Sequence, residues 1–280
     1  MKLLNPLSII YVPSNNEEDL SKTTHLCISA HQDDIEIMAY SQIFDCYNNK
    51  NKYFCAVNTT NGSGSPRTGK FANFTDEEMV KTRIEEQKKA CDIGKYNGLI
   101  MMMYPSKDIK NVSCTAPKED LKQIILTTKP EIVITHNLLD KHSTHIATCI
   151  KVIDALREIK DIYKPKQVIG LEVWRGLDWL SSKDKLFFDT SKNKKLEKNL
   201  LNVFESQVEG GKRYDLAAIG RRYANATFFE SHNTDEVKSL NYGLDMTEFV
   251  YSNKSYTEFI KEKIKNFEEE VLNQVEPLLK

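Results

Sequence analysis

Long apolar runs are missing from this sequence of 280 residues. No stretch approaches the roughly 20 consecutive apolar residues that a membrane-spanning helix needs. The start of the chain, MKLLNPLSII, is interrupted by Asn5 and Pro6, where a signal peptide would keep its apolar segment. We therefore expect a cytoplasmic protein that has no membrane as a partner.

An excess of charge of either sign is also missing. Lys and Arg together number 39 against 40 Asp and Glu, which gives a net charge of -1. Such a balance offers no electrostatic attraction to the phosphates of a nucleic acid. Hydrophobic residues make up 40% of the chain and charged residues 28%, as in ordinary globular proteins. We expect a soluble globule that has no nucleic acid as a partner.

Paired cysteine motifs are absent as well. The six cysteines are scattered without a CxxC pair or the regular spacing of a disulfide framework. They are Cys27, Cys46, Cys55, Cys91, Cys114 and Cys149. Two of them stand inside apolar strand-like runs, where a thiol behaves as a small hydrophobic group. The sequence thus predicts reduced, mostly structural thiols.

What the sequence does contain is a repeated alternation of strand and helix signals over the first 165 residues. Strands are predicted at His25–Ala30, Tyr53–Asn58, Gly98–Tyr104 and Glu131–His136, and helices at about Asp34–Tyr47, Thr75–Gly94, Pro117–Thr128 and Thr144–Ile159. Because parallel strands need crossover connections, this alternation favours an α/β fold with a mostly parallel central sheet. We expect a Rossmann-like, three-layer arrangement with helices on both faces.

The rhythm changes after residue 165. Strand signals follow at Gln167–Trp174 and in KLFFDT from Lys185, then a helix near Lys194–Val208 and a charged helix near Tyr256–Leu279. No Pro- or Gly-rich linker separates this part from the first. We expect a single domain over residues 1–280, in which residues 166–280 add edge strands, a lid and a C-terminal helix.

Polar side chains follow the first and the fourth predicted strands directly. In open α/β sheets, ligands bind outside the carboxyl ends of the strands, so these two loops are expected to meet at one site. His31 and Asp34 follow the first strand, and His145 follows the fourth. Two nitrogens and one carboxylate leave one tetrahedral position open for water, which is the pattern of a catalytic zinc site.

Other side chains of the same two loops suit the chemistry of hydrolysis. Asp33 is expected to accept a proton from the water, since adjacent carboxylates at a turn point in different directions. His142 is expected to stabilise an oxyanion and to protonate a leaving amine. Asp140 is expected to orient an imidazole or the loop. The sequence therefore predicts a metal-dependent hydrolase.

Two motifs carry a family resemblance. AHQDDIEI, from Ala30, resembles the AHPDDxE signature of the PIG-L / LmbE-like deacetylase superfamily, and DKHSTH, from Asp140, is similar to its DxHxDH motif. The resemblance implies zinc, with iron or manganese as alternatives, on His31, Asp34 and His145. It also implies that Asp33 is the general base and that His142 stabilises the oxyanion and donates a proton. The implied reaction removes the acetyl group from an N-acetylated amino sugar of the N-acetylglucosamine type.

The sequence departs from the family pattern at two positions within these motifs. Gln32 replaces the usual Pro, which loosens the turn but removes no ligand. Thr144 replaces the Asp that precedes the last His of the second motif. Because that Asp can pair with the catalytic histidine in the family, its loss bears on the pKa of His142 and on the rate.

Several further residues are candidates for contact with substrate. Arg83, in a helix that also resembles the family, is a candidate by resemblance. Arg67 and Lys70 lie in the loop GSPRTGK, which we interpret as a chance match to a phosphate-binding loop because Phe71 stands where Ser or Thr is required. Both cations are also typical of a solvated loop. A sugar platform or core packing are alternatives for Trp174 and Trp179.

Three other polar residues are assigned no part in the chemistry. We give His136 no role, and we interpret Arg221 and Arg222 as a surface pair, with a position at the mouth of the site as the alternative.

Two other functions remain open for the whole chain. One is a metal-dependent esterase or phosphohydrolase at the same site, and the other is a sugar-binding homologue without turnover. The particular sugar, the native metal and the oligomeric state are not specified by the sequence.

Overall fold

The computed structural model describes residues 1–279, which form a sheet of eight strands with helices on both sides. The strands are β1 (Ile9–Tyr11), β2 (His25–Ser29), β3 (Phe54–Thr60), β4 (Gly98–Tyr104), β5 (Ile132–His136), β6 (Gln167–Leu171), β7 (Lys185–Asp189) and β8 (Leu240–Asp245). Their order across the sheet is β1-β4-β3-β2-β5-β6-β8-β7. The four strands predicted in the first half are β2 to β5.

The centre of the sheet is parallel and its margins are antiparallel. β4, β3, β2, β5 and β6 pair in parallel, with His25 of β2 opposite Phe54 of β3 on one side and Ile132 of β5 on the other. β1 runs antiparallel along β4, and β8 runs antiparallel to both β6 and β7. The predicted α/β fold with a mostly parallel sheet is therefore confirmed, including the edge strands contributed by the second half.

Eleven α-helices are present in residues 1–279. They are α1 (Asp34–Met38), α2 (Tyr40–Tyr47), α3 (Asp76–Gly94), α4 (Ser106–Lys110), α5 (Ala116–Thr128), α6 (Ser143–Glu158), α7 (Lys194–Asn202), α8 (Glu205–Val208), α9 (Tyr214–Thr227), α10 (Thr247–Tyr251) and α11 (Tyr256–Val275). Thr75 and Glu78 form the predicted capping box at the start of α3. Within the described part of the chain, no helix is both long and apolar enough to cross a membrane.

The hydrophobic core lies in two layers, one on each face of the sheet. One layer contains α5 and α6, with Leu121 and Val152 fully buried. The other contains α1, α2, α3 and α7, with Ile35, Ala90 and Leu200 fully buried. Helices that cover both faces explain why β2 and β3 are buried along their whole length. The three-layer arrangement is as predicted.

The predicted helix from Asp34 to Tyr47 is wrong in one respect, because it is broken at Ala39 into α1 and α2. Arg222 donates to the backbone oxygens of Glu36 at 3.0 Å and Ile37 at 2.7 Å, and the Asn241 side chain donates to that of Met38 at 2.5 Å. These side chains take carbonyls that a continuous helix would use for its own hydrogen bonds.

The second half also differs from the prediction in detail. The helix predicted over Lys194–Val208 is two helices, α7 and α8, and β1, β8 and α9 were not predicted. β8, with the sequence LNYGLD, contains Asn and Gly, which are depleted in strands. Gly243 is required there because a Cβ atom would lie 2.8 Å from the side chains of Leu171 and Phe188. The single-domain organisation stays a prediction, in agreement with a sheet to which both halves contribute strands.

Candidate active site

The candidate site lies where the adjacent parallel strands β2 and β5 end. His31 follows β2 and Asp34 opens α1, whereas His145 stands in the first turn of α6, shortly after β5. Since β2 and β5 are hydrogen-bonded neighbours, their carboxyl ends bring the two loops together. The structure thus places the three predicted ligands at one point.

These three side chains form a nearly equilateral triangle of ligand atoms. His31 Nδ1 lies 3.1 Å from Asp34 Oδ2 and 3.2 Å from His145 Nε2, and His145 Nε2 lies 3.3 Å from Asp34 Oδ2. Two ligands about 2.0 Å from a tetrahedral ion are separated by about 3.3 Å. The spacing and the donor set of two imidazoles and one carboxylate therefore fit a divalent ion such as zinc.

Asp140 fixes the orientation of one candidate ligand. Its Oδ2 accepts a hydrogen bond of 3.0 Å from His145 Nδ1, which leaves His145 Nε2 facing Asp34. Burial lowers the pKa of His145, but the carboxylates of Asp34 and Asp140 outweigh it and raise that pKa to about 9. The backbone N–H groups of Trp174 and Arg175 donate to Asp140 as well. This is the carboxylate–histidine arrangement that supports metal ligands in other proteins.

Asp33 is a buried carboxylate with an oxygen left free. Its side chain lies against the cavity, its Oδ1 is 3.4 Å from Arg83, and its Oδ2 has no hydrogen-bond partner in the described structure. Burial is the main cause that raises the pKa of Asp33 to about 8, with Arg83 opposing it and Asp34 adding to it. Its φ of 89° is unusual for a residue other than Gly. Such strained backbone conformations are typical of functional sites.

Arg83 connects Asp33 to the segment that follows α7. Only 1% of Arg83 is exposed, and it donates to the backbone oxygen of Gln32, to Glu86 at 3.1 Å and to Ser206 at 3.3 Å. Gly62 allows this close packing, because a Cβ there would lie 3.0 Å from Arg83. Arg83 lines the cavity, as a substrate-contact role requires, but most of its donors are already used.

His142 faces the same space from the N-terminus of α6. Its Nδ1 accepts a hydrogen bond of 3.3 Å from the backbone N–H of Thr144, so the neutral ring carries its proton on Nε2. Burial and then the charges of His145 and His31 lower the pKa of His142 to about 4. At neutral pH the imidazole is therefore uncharged, and Nε2 is its hydrogen-bond donor.

His136 is a residue of the site that sequence reasoning missed. It is fully buried, stacks on His145 with ring centroids 3.9 Å apart, and places Nε2 3.5 Å from Asp34 Oδ2. Two overlapping groups could hold an ion, one of His31, His142 and His145 and the other of Asp34, His136 and His145. The backbone N–H of Ala30 already donates to His136 Nε2 at 2.9 Å, so its lone pair is not free. Its place at the end of β5 was the available signal.

Gln32 stands where the family motif has a proline. Its side chain is fully buried and donates to the backbone oxygen of Thr60 at 3.0 Å, which ties the turn after β2 to the end of β3. The backbone oxygen of Gln32 also accepts a hydrogen bond from Arg83. Two hydrogen bonds thus hold the turn in which the family motif has a proline ring.

The site opens into a cavity of about 640 Å³. His31, Asp33, Asp34 and His142 lie at its floor, and Trp174, Tyr214 and Arg221 come to its wall from the second half of the chain. Trp174 packs against His142 with ring centroids 5.6 Å apart. Trp179 packs instead against Phe267 and does not line this cavity. The second half therefore supplies a wall of the cavity, in the place where a lid was expected.

Of the four cations whose positions the sequence left open, three do not line the cavity. Arg67 pairs with Asp76 at 2.6 Å, and Lys70 pairs with Glu205 at 2.6 Å, so neither side chain lines the cavity. Their charges are held by carboxylates at the surface rather than directed at a ligand. Arg222 is no surface residue, since only 1% of it is exposed and it pairs with Glu197 at 2.5 Å. Its neighbour Arg221 does line the cavity.

Comparison with solved structures shows the same fold in several proteins. N,N'-diacetylchitobiose deacetylase from Pyrococcus horikoshii superimposes with a TM-score of 0.67 and 14% identity, over 85% of this chain and 88% of that one. A conserved protein from Thermus thermophilus, TT1542, gives 0.62 and 14%, over 83% and 99% of the two chains. The 4-carboxy-2-hydroxymuconate hydratase GalB from Pseudomonas putida KT2440 gives 0.57 and 17%, over 83% and 100%. At these identities the likeness establishes the fold.

Sequence comparison adds the family. No curated protein sequence matches the chain. The family described as PIG-L: GlcNAc-PI de-N-acetylase matches residues 26–156, a segment that runs from β2 through α6 and holds every predicted ligand. The resemblance inferred from AHQDDIEI and DKHSTH is confirmed by this match, which contains both motifs.

Proposed function

We propose that this protein is a metal-dependent hydrolase that removes the acetyl group from an N-acetylated amino sugar of the N-acetylglucosamine type. The observation that carries the proposal is the triangle of His31, Asp34 and His145, with ligand atoms 3.1 to 3.3 Å apart, beside the free carboxylate oxygen of Asp33. The family match over residues 26–156 supports an N-deacetylase. Zinc as the native ion and the cytoplasm as the location are parts of the same proposal.

The three ligand side chains would hold the ion at the floor of the cavity. A divalent ion held there would supply Lewis-acid chemistry: it would lower the pKa of water to about 7 and polarise the carbonyl of the amide. Asp140 keeps His145 in the tautomer that presents Nε2. His136 stacks on His145 and so restricts its ring. The chain thus holds its ligands before any substrate arrives.

Asp33 is the group that we assign to proton transfer. Asp33 lines the cavity, its Oδ2 has no hydrogen-bond partner in the described structure, and the raised pKa of about 8 makes the carboxylate a stronger base than an exposed Asp. A base with a pKa near the working pH can both accept a proton and return it. Asp33 would accept the proton of the attacking water and then deliver it to the nitrogen of the departing amine.

His142 would stabilise the negative charge that develops on the carbonyl oxygen. Because the Thr144 N–H engages Nδ1, the Nε2–H of the neutral ring is left to donate to that oxygen. The lowered pKa of His142, about 4, favours this donor role over proton delivery to the amine. The sequence had assigned both roles to His142, and we now propose only the first.

The cavity suits a sugar-sized substrate. Its volume of about 640 Å³ is within the range of small-molecule sites. The half-buried Trp174 presents an aromatic face beside His142, and such faces pack against the C–H groups of sugar rings. A pyranose lying on Trp174 would have its acetamido group near His142 and Asp33.

Acetate release from a panel of substrates tests the proposal. The panel contains N-acetylglucosamine, its methyl glycoside, a matched O-acetyl glucoside and a glucose phosphate. We expect acetate from the amides in excess of the ester, and no phosphate release. Preferential cleavage of the ester or the phosphate would favour the esterase or phosphohydrolase. Binding of the sugars without any product would favour the homologue without turnover.

A further inference from the structure

The cavity carries a net positive charge, although the whole chain is nearly neutral. Its lining contains two carboxylates, Asp33 and Asp34, and four cationic side chains, Arg83, Lys141, Lys212 and Arg221. The chain as a whole has a net charge of -1. A divalent ion at the proposed ligands would add to the positive charge. A cleft lined by one sign of charge attracts ligands of the opposite sign.

The four cations are not equivalent. Arg83 is bound to Gln32, Glu86 and Ser206 and has its charge balanced by Asp33 and Glu86. Lys141 is exposed near the end of the loop that leads into α6. Neither of them therefore marks a ligand site by itself.

Arg221 is a half-buried guanidinium with donors to spare. It extends from α9 and donates one hydrogen bond to the backbone oxygen of Val173, but it forms no ion pair among residues 1–279. The charge of Arg221 acts on the buried carboxylate of Glu172, which accepts its hydrogen bonds from Leu177, Asn225 and Tyr242 and none from Arg221. Since a guanidinium has five N–H groups in a planar fork, Arg221 can still bind a carboxylate or phosphate in a bidentate manner.

Lys212 stands above the same wall. Its Nζ lies 5.3 Å from the centroid of the Trp174 ring, and it has no carboxylate partner in the described part of the chain. The adjacent Arg213 differs, because Asp215 binds it at 2.9 and 2.8 Å and neutralises it. Lys212 and Arg221 thus flank Trp174, on which the sugar ring is proposed to lie.

A second cavity also has Arg221 in its lining. It has a volume of about 530 Å³, and Arg221 lines both cavities. The aromatic side chains of Phe187, Phe228 and Phe229 form part of its wall. Arg221 therefore borders both spaces.

We propose that the substrate carries an anionic group, a phosphate or a carboxylate, on the amino sugar, and that Arg221 and Lys212 bind this group beside Trp174. This inference rests on the proposed deacetylase function and names the substrate class. The two residues determine specificity and take no part in the chemical step. Phosphate and carboxylate share the chemistry of recognition, and the experiment separates them.

The test compares three N-acetylglucosamine derivatives: the 1-phosphate, the carboxymethyl glycoside and the neutral methyl glycoside. We expect kcat/KM for the preferred anion to exceed that for the neutral glycoside by roughly 10- to 100-fold, the effect of a hydrogen bond to a charged group. Arg221→Gln and Lys212→Gln should each reduce this ratio by about 10-fold, and high salt should reduce it in the parent. Arg213→Gln is the matched control, because its charge is already neutralised, and should leave the ratio unchanged.

Equilibrium binding of the same three compounds, followed by calorimetry, separates this inference from the proposed function. If acetate is released equally from the neutral and anionic compounds in the parent and in both variants, the deacetylase stands and the inference is overturned. If no acetate is released, tighter binding of the anions, lost in Lys212→Gln, still supports the inference, and equal binding refutes it. Lys212 is exposed, so that variant tests the inference even if Arg221→Gln does not fold.

Discussion

Exchanging Asp33 for Asn separates proton transfer from metal binding. The exchange keeps the shape of the side chain but removes its ability to accept a proton. Asn tolerates a positive φ better than most residues, so the φ of 89° at this position is not an obstacle. Arg83 keeps its contacts with Glu86 and Gln32, so no buried charge is left without a partner. We therefore expect Asp33→Asn to fold with a melting temperature no lower than that of the parent.

The expected loss of rate follows from the role of the base. Positioned general bases contribute about 100- to 10,000-fold, so kcat should fall by that factor, or by about 3 to 5 kcal/mol in activation free energy. Metal content should remain at the parent value, since Asp33 Oδ2 is outside the ligand triangle. Elemental analysis and an acetate-release assay on the same preparation measure both quantities.

Asp34→Asn is the matched comparison, one residue away. Its Oδ2 lies 3.1 Å from His31 and 3.3 Å from His145, and a neutral amide oxygen is a poorer ligand than a carboxylate. This variant should lose metal, and added zinc should restore part of its activity but none of that of Asp33→Asn. If Asp33→Asn loses metal while Asp34→Asn retains it, the two roles are reversed. If both variants stay fully active, the reaction takes place elsewhere.

Three further predictions concern the surroundings of the site. Arg222→Met should lower the free energy of unfolding by about 1 to 3 kcal/mol, because the carbonyls of Glu36 and Ile37 lose their donor, whereas Glu197 keeps Lys194 as a cation at 2.8 Å. A denaturant titration measures the loss, and adding Glu197→Leu should recover only part of it. Asp140→Asn should weaken metal affinity by about 10- to 100-fold, since His145 loses its carboxylate partner, and a competition titration with a chelator measures this. Thr144→Asp should not reduce kcat, because it restores the carboxylate of the family motif beside His142; a fall of more than about tenfold with metal still bound would show that Thr is adapted to this site.

The central sheet and the proposed metal ligands could be predicted from the sequence for a shared reason. Buried parallel strands are continuous apolar runs, and their ends are marked by the first polar residues that follow them. His31 and Asp34 come directly after one such run, and His145 follows another. Local pattern thus locates each loop, and the rule that ligands bind at the carboxyl ends of strands brings the loops together.

Roles that depend on contacts with distant parts of the chain could not be predicted in this way. His136 was given no role because its contacts with Ala30, Asp34 and His145 depend on how β5 lies beside β2. Arg222 was placed at the surface because nothing near it in sequence indicates that Glu197 pairs with it. Charged residues gain such burial only through tertiary contacts.

The break between α1 and α2 and the edge strand β1 could not be predicted from local sequence either. Periodicity supports one helix from Asp34 to Tyr47, but Arg222 and Asn241, from the far end of the chain, take its backbone carbonyls. The edge strand β1 has only three residues, too few for a periodic signal. Sequence patterns report local preference, and these features are decided by tertiary structure.

The most direct test of the account is the metal content of the purified protein measured together with its acetate release from N-acetylglucosamine derivatives. We predict about one divalent ion per chain, loss of hydrolysis when a chelator removes it, and recovery when one equivalent of zinc is returned. Full hydrolytic activity in protein that elemental analysis shows to be free of metal would contradict the account.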